Sequence, residues 1–200
     1  STIVTDSVTS TSLKSYIEKR GGVHHRFQRG YNNIIKEAVR LNTEGVNCPL
    51  AIETSGHCAL RENDFLDDGA YLIVKILIKY CEMKKKGLKI ADILRDYQEP
   101  EEAKELRPRF LPEDFKVYGQ RLLHEFADYV NTVDGWTLET PNYEGVRVNC
   151  APGSGNGWAL LRLSLHDPQL PINIESNEKG GTAVIEAKLM EFLRRYELEF

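Results

Sequence analysis

The chain has 200 residues, 41% hydrophobic and 28% charged, with 26 Lys+Arg against 30 Asp+Glu and a formal net charge of -4. That is the composition of a globular chain of one ordinary domain or two small ones, and it argues against disorder. No domain-wide basic surface exists, which disfavours nucleic acid or an anionic membrane as the main partner. The longest apolar run, Ala70 to Val74, ends at Lys75, far short of the roughly 20 residues a membrane span needs.

The four cysteines, Cys48, Cys58, Cys81 and Cys150, show no CxxC spacing, against a zinc ribbon or a redox pair. Reduced thiols and a cytoplasmic location are expected. The chain starts at Ser1 without Met or a signal-like segment and runs at once into Ile3-Val4. It reads as a piece of a longer protein.

The first half alternates strand-like and helix-like segments. Thr2–Thr5 is β-branched, and a Ser/Thr-rich cap leads into a helix through Leu13, Tyr16 and Ile17, stopped by Gly21-Gly22. Val23–Gln28 reads as extended and Tyr31–Leu41 as a second helix. Cys48–Thr54 suits a buried strand. Asp67-Asp68 then caps a helix that is apolar almost all round from Tyr71 to Ile78, predicted to be covered on more than one side. Lys84–Lys86 complement the dipole at its end. This alternation predicts an α/β domain over residues 1–98.

The charged stretch Glu99–Glu105 (EPEEAKE) is the candidate linker. Beyond it come a strand-like Leu106–Leu111 and a helix with Phe115, Tyr118, Leu122, Phe126 and Tyr129 on one face. Strands are predicted at Gly135–Glu139, Val146–Cys150, Trp158–Ser164 and Leu170–Glu175, followed by an amphipathic helix from Val184 to Tyr196. Consecutive strands flanked by two helices predict an α+β domain with an antiparallel sheet over residues 99–200. Net charge divides the same way, +3 for residues 1–98 and -7 for the rest.

Two segments offer chemistry. Glu53, Ser55 and His57 lie at i, i+2 and i+4, and on an extended backbone they project to one side. A carboxylate, a hydroxyl and an imidazole at the end of a buried α/β strand can hold a sugar diol and move protons; the alternative is a polar turn closing the strand. In Gly157–Pro168 (GWALLRLSLHDP), Trp158, Leu160, Arg162 and Ser164 share one parity, and a loop of amides follows. An Arg fork and a hydroxyl there suit a phosphate; the alternative is a solvated outer face. His24-His25 has no acidic or cysteine partner at metal-ligand spacing, and Gly153–Gly157 reads as a hairpin loop rather than a P-loop.

These segments together resemble the α-D-phosphohexomutases, the phosphoglucomutase/phosphomannomutase family. Glu53–His57 (ETSGH) and Phe65–Tyr71 (FLDDGAY) are similar to its sugar-binding loop and succeeding DDG helix, and Gly157–Pro168 to its phosphate loop, R-x-S-(G/N)-T-x-P. Thr5–Leu13, Arg29–Tyr31 and Glu144–Val148 add weaker matches in family order. The resemblance implies the third and fourth of four domains. These would be a three-layer α/β domain that binds sugar and an α+β domain, similar to the TATA-binding protein, that binds phosphate.

It further implies an enzyme that interconverts hexose 1- and 6-phosphates through a phosphoserine and a bisphosphate intermediate. Sugar contacts then fall to Glu53, Ser55 and His57, with His57 able to assist proton transfer, and phosphate contacts to Arg162, Ser164 and His166. The family's serine loop (T-x-S-H-N-P) and magnesium loop (D-x-D-x-D-R) have no counterpart string here. Mg2+ and the catalytic serine are therefore expected from the missing N-terminal domains, and the fragment alone is expected to be inactive. Leu165 and His166 depart from the phosphate-loop pattern, and Asn32 stands where many members carry Lys or Arg. A non-catalytic sugar-phosphate binding module is the alternative function, and an assembly surface a third.

Overall fold

In the computed structural model, which describes residues 1–164 and 167–200, the β-branched residues Thr2–Thr5 form strand β1. The chain then alternates through α1 (Thr11–Lys19), β2 (Val23–Arg26), α2 (Tyr31–Thr43), β3 (Leu50–Ile52) and β4 (Cys58–Leu60) to α3 (Gly69–Lys85). Ser10 caps α1 by accepting from the Ser12 amide at 3.0 Å, and Gly21 leaves the helix with φ of +74°. These elements lie in the first of two compact units, Ser1–Gln98 and Glu99–Phe200.

The strand order in the first unit is β2-β1-β3-β4, with the first three parallel and β4 antiparallel. Right-handed crossovers from β1 outward to β2 and from β2 back past β1 to β3 put α1 and α2 on opposite faces, a three-layer arrangement. Val4 and Ala51 on the α2 face are completely buried with Ile34, Ala38, Leu41 and Cys48. Ile3, Leu50, Ile52 and Leu60 project from the other face and are only partly covered. Glu37 of α2 is buried, and its carboxylate accepts from Arg40 Nε and Nη2, both at 2.7 Å, and meets His25 Nε2 of β2 at 2.9 Å. Hydrogen bonding by Arg40, opposed by desolvation, holds Glu37 below the usual carboxylate range.

Helix α3 departs from expectation. Asp68 caps it as predicted, accepting from the Tyr71 amide at 3.0 Å. Yet Ile73, Val74, Ile76, Leu77 and Ile78 are all at least half exposed, and Met83 is its one buried residue. Within the unit the main packing partner of α3 is the short 3-10 helix Ile90–Leu94, which leaves that apolar stretch about half uncovered.

The second unit is built from β5 (Glu102–Leu106), β6 (Arg109–Phe110), α4 (Phe115–Val130), β7 (Trp136–Leu138), β8 (Val146–Cys150), β9 (Gly157–Leu161), β10 (Ile172–Ser176), α5 (Gly181–Leu193) and β11 (Leu198–Glu199). Five strands form an antiparallel sheet in the order β5-β10-β9-β8-β7, and β11 pairs with β6. Both helices pack on one face, where Leu122, Phe126 and Val130 of α4 and Ile185, Leu189 and Phe192 of α5 meet Val148, Ala159, Leu161, Ile172 and Ile174. The charged run expected to link the units is mostly structure, because Glu102–Glu105 belongs to edge strand β5. There Glu102 accepts from the Gly180 amide at 2.7 Å and from Thr182 Oγ1 at 2.6 Å, and so anchors the start of α5. Backbone pairing tolerates charged side chains at an edge, where they also block further strands.

The Glu37 cluster makes stability of the first unit sensitive to acid. Since folding lowers this carboxyl's pKa below its ordinary value of 4.5, its contribution is complete above that pH and is lost as pH falls through the folded-state value. Glu37→Gln is expected to lower stability by about 1–2 kcal/mol at pH 7, discounted for the half-exposed Arg40. The difference from wild type should shrink at pH 3, as measured by urea unfolding followed through α2 amide signals.

Candidate sugar and phosphate loops

The carboxyl ends of parallel strands converge in the first unit, the edge where open α/β sheets place ligands. The loop after β1, the β2–α2 junction and the β3–β4 connection meet there. Glu53–His57 is not extended, as the i, i+2, i+4 argument supposed. It is a tight hairpin loop, with the Glu53 amide donating to His57 O at 2.9 Å and the Gly56 amide to Glu53 O at 3.0 Å. Pairing of β3 with an antiparallel β4 forces the chain back on itself, and Gly56 supplies the bend at φ of +96°.

Side-chain bonds, not parity, bring the polar groups together. Glu53 is 8% exposed. Its Oε1 accepts from the Gly30 amide at 2.6 Å and its Oε2 from Ser55 Oγ at 2.8 Å. Gly30 caps α2, so the carboxylate sits at a helix N-terminus, where the dipole favours negative charge. Ser55 and His57 are exposed at the tip. The His57 ring stacks on Tyr31, centroids 4.9 Å apart, and its Nδ1 lies 2.6 Å from Asp67 Oδ2.

Sequence reasoning missed three members of this cluster. Asp6 is fully buried and fastens the hairpin to the loop after β1, accepting from Thr54 Oγ1 at 2.7 Å and from Thr9 Oγ1 at 2.6 Å. Tyr31 entered only through the Arg-Gly-Tyr match, and Asp67 only as a helix cap and within the FLDDGAY match, with no site role given to either. The available signal was an acidic residue directly after a β-branched strand, which in a parallel sheet points to the ligand edge. His24 and His25 belong elsewhere, paired to Thr5 Oγ1 at 2.7 Å and to Glu37. Among the described residues no group of three or more His, Cys, Asp or Glu could hold a metal ion.

In the second unit β9 stops at Leu161, so Arg162 and Ser164 stand in the following turn and not on a strand. The Arg162 amide donates to Pro171 O at 3.1 Å and the Ser164 amide to Gln169 O at 3.2 Å, closing the base of the turn. The Asp167 amide donates to Ser164 Oγ at 3.3 Å, so this loop amide is engaged internally. His166, expected as a phosphate contact, and Leu165 lie outside the described residues.

Gly145 backs the turn. A Cβ at this residue would lie 2.1 Å from Leu161 O and 2.9 Å from Arg162 Cα, and its φ is +58°. The face of β9 that carries Trp158 and Leu160 is buried, not solvated. Arg147 lies 3.6 Å above the Trp158 ring and donates from Nε to Glu139 at 3.1 Å, while Trp158 Nε1 donates to Glu175 at 2.9 Å.

Residues 1–99 match the family model described as Phosphoglucomutase/phosphomannomutase, alpha/beta/alpha domain III. No curated protein matches the chain. Among solved structures, the whole chain superimposes on a phosphoglucomutase/phosphomannomutase family protein from Burkholderia thailandensis, at 21% identity and a TM-score of 0.73, covering 39% of that chain. A putative phosphomannomutase from Thermus thermophilus aligns over 97% of this chain and 36% of its own, at 16% identity and a TM-score of 0.55. N-acetylphosphoglucosamine mutase from Aspergillus fumigatus aligns over 98% of this chain and 38% of its own, at 12% identity and a TM-score of 0.57. A structure of the Aspergillus enzyme holds GlcNAc-6P and magnesium. The chain thus spans about two fifths of the length of these neighbours. Both units are folded as the resemblance implied, and the first unit belongs to the phosphoglucomutase/phosphomannomutase family as its alpha/beta/alpha domain III.

Proposed function

We propose that this chain is the sugar- and phosphate-holding part of a phosphohexomutase that interconverts hexose 1- and 6-phosphates through a phosphoserine and a bisphosphate intermediate. One observation carries the reading. Glu53 is held rigid by the Gly30 amide and Ser55 at the ligand edge of a domain III sheet. Each carboxylate oxygen has a second lone pair, so Glu53 can still accept from sugar hydroxyls beside Ser55 and His57. Arg162 offers a planar fork and Ser164 a hydroxyl for the phosphate that does not react. Binding energy from that remote group would orient the sugar for phosphoryl transfer.

The nucleophilic serine and the Mg2+ ligands belong, in this reading, to the rest of the enzyme, and no step is assigned to a metal through the residues described. The exposed Ile73–Ile78 surface of α3 supports such a division, since it suits cover by further protein. A non-catalytic sugar-phosphate binding module would use the same two loops.

Titrating the chain with glucose 1-phosphate and mannose 1-phosphate, followed by amide NMR, tests the binding role. Shifts confined to Glu53–His57 and to residues 162–167 are expected, and their order ranks the sugars. No shift at millimolar ligand, in this chain or in the intact enzyme, removes the reading. In the intact enzyme Arg162→Ala should lower kcat/KM by roughly 10²-fold, as loss of a charged fork would; unchanged kinetics would show that Arg162 does not bind substrate.

A further inference from the structure

The His57 imidazole is held from two directions. Its face stacks on Tyr31 with 25° between the planes, and Nδ1 lies 2.6 Å from Asp67 Oδ2. Asp67 is itself fixed. Its other oxygen accepts from the Cys58 amide at 3.1 Å, and its backbone forms a bridge with Ala59. An ionised carboxylate has lone pairs only, so the hydrogen of this contact sits on Nδ1. In the neutral ring Nε2 is then the acceptor, and the His57 side chain is 48% exposed to present it.

We infer that Asp67 is a positioning residue, which locks neutral His57 in the Nδ1–H tautomer so that Nε2 accepts a proton or hydrogen bond from a sugar hydroxyl. The inference rests on the proposed sugar-binding role of the hairpin. It gives the three groups at the loop a common polarity: Glu53 accepts, His57 accepts, and Ser55 both donates and accepts. A ligand that suits this set brings hydroxyl donors to two of the three, which fits a polyol ring better than a planar carboxylate or an oxo compound.

The surroundings of Asp67 give this a sharp test. In Asp67→Asn the Cys58 amide still needs an acceptor, so the asparagine oxygen stays on it and the NH2 group turns toward His57 Nδ1. An NH2 group donates, and the imidazole must answer with the Nε2–H tautomer. Nitrogen-15 histidine spectra of the chain above pH 7.5 should show Nδ1 protonated in wild type and Nε2 protonated in Asp67→Asn, with the amide signals of β3 and β4 preserved. Affinity for glucose 1-phosphate should fall about tenfold in the variant, the loss of one hydrogen bond.

A protonated Nε2 or averaged tautomers in wild type would overturn the inference. So would inversion of the tautomer with no loss of affinity, since Nε2 would then be no acceptor for substrate. Wild-type chain that shows the expected tautomer but binds no sugar phosphate, alone or in the intact enzyme, would overturn the sugar-binding reading and with it the role of Nε2. It would leave Asp67 as a fixed partner of His57.

Discussion

One buried carboxylate organises the candidate sugar loop. Asp6 is completely enclosed at the carboxyl end of the central strand, where an ion without partners would cost several kcal/mol. It is tolerated because hydroxyls from two separate segments converge on it, Thr9 from its own loop and Thr54 from the β3–β4 hairpin. The hairpin is thereby tied to the loop after β1 across 48 residues of sequence. That tie adds to the Glu53–Gly30 and His57–Asp67 bonds in fixing a hairpin whose tip is exposed and whose two strands are three residues each.

The second unit solves a comparable problem with an arginine. Arg147 is buried on the sheet face opposite the helices and is stabilised by stacking on Trp158 and by donation to Glu139. Trp158 in turn satisfies its indole N–H on Glu175, so the polar groups of this face form a linked set rather than isolated burdens. The same stretch of β8 starts just after Gly145, whose lack of a side chain lets the backbone abut Arg162. A structural strand and the candidate phosphate turn are thus held side by side. This accounts for the Glu144–Val148 segment carrying a family resemblance although none of its residues is assigned to a ligand.

The apolar surface of α3 stands apart from both arrangements. Fully burying a large aliphatic side chain stabilises a fold by roughly 1.5–3 kcal/mol, and five such residues on one helix are left outside the core. A sheet face of half-covered aliphatic residues, Ile3, Leu50, Ile52 and Leu60, accompanies it. Both features agree with a chain that spans only part of the length of its structural neighbours.

Local pattern was enough for much of this molecule. Period-2 and period-3.6 apolar spacing, glycine stops and side-chain caps are short-range signals, and they located the five α-helices and most strands of both units, but not β4, β5 or β11. The two candidate loops stood out as well, because a run such as ETSGH carries its residue types within five positions. What the sequence could not show is how those residues are aimed. Parity predicted one extended face for Glu53, Ser55 and His57, whereas an antiparallel β4 turned them into a hairpin. The edge strand looked like a linker because backbone pairing leaves no apolar trace in charged side chains. The partnerships of Asp6 with Thr54, Asp67 with His57 and Gly145 with Arg162 span 10 to 48 residues, and apolar spacing alone did not show that α3 would stay exposed. Residue type and local periodicity are written in neighbouring positions, but hydrogen-bond direction and burial depend on segments that only the fold brings together.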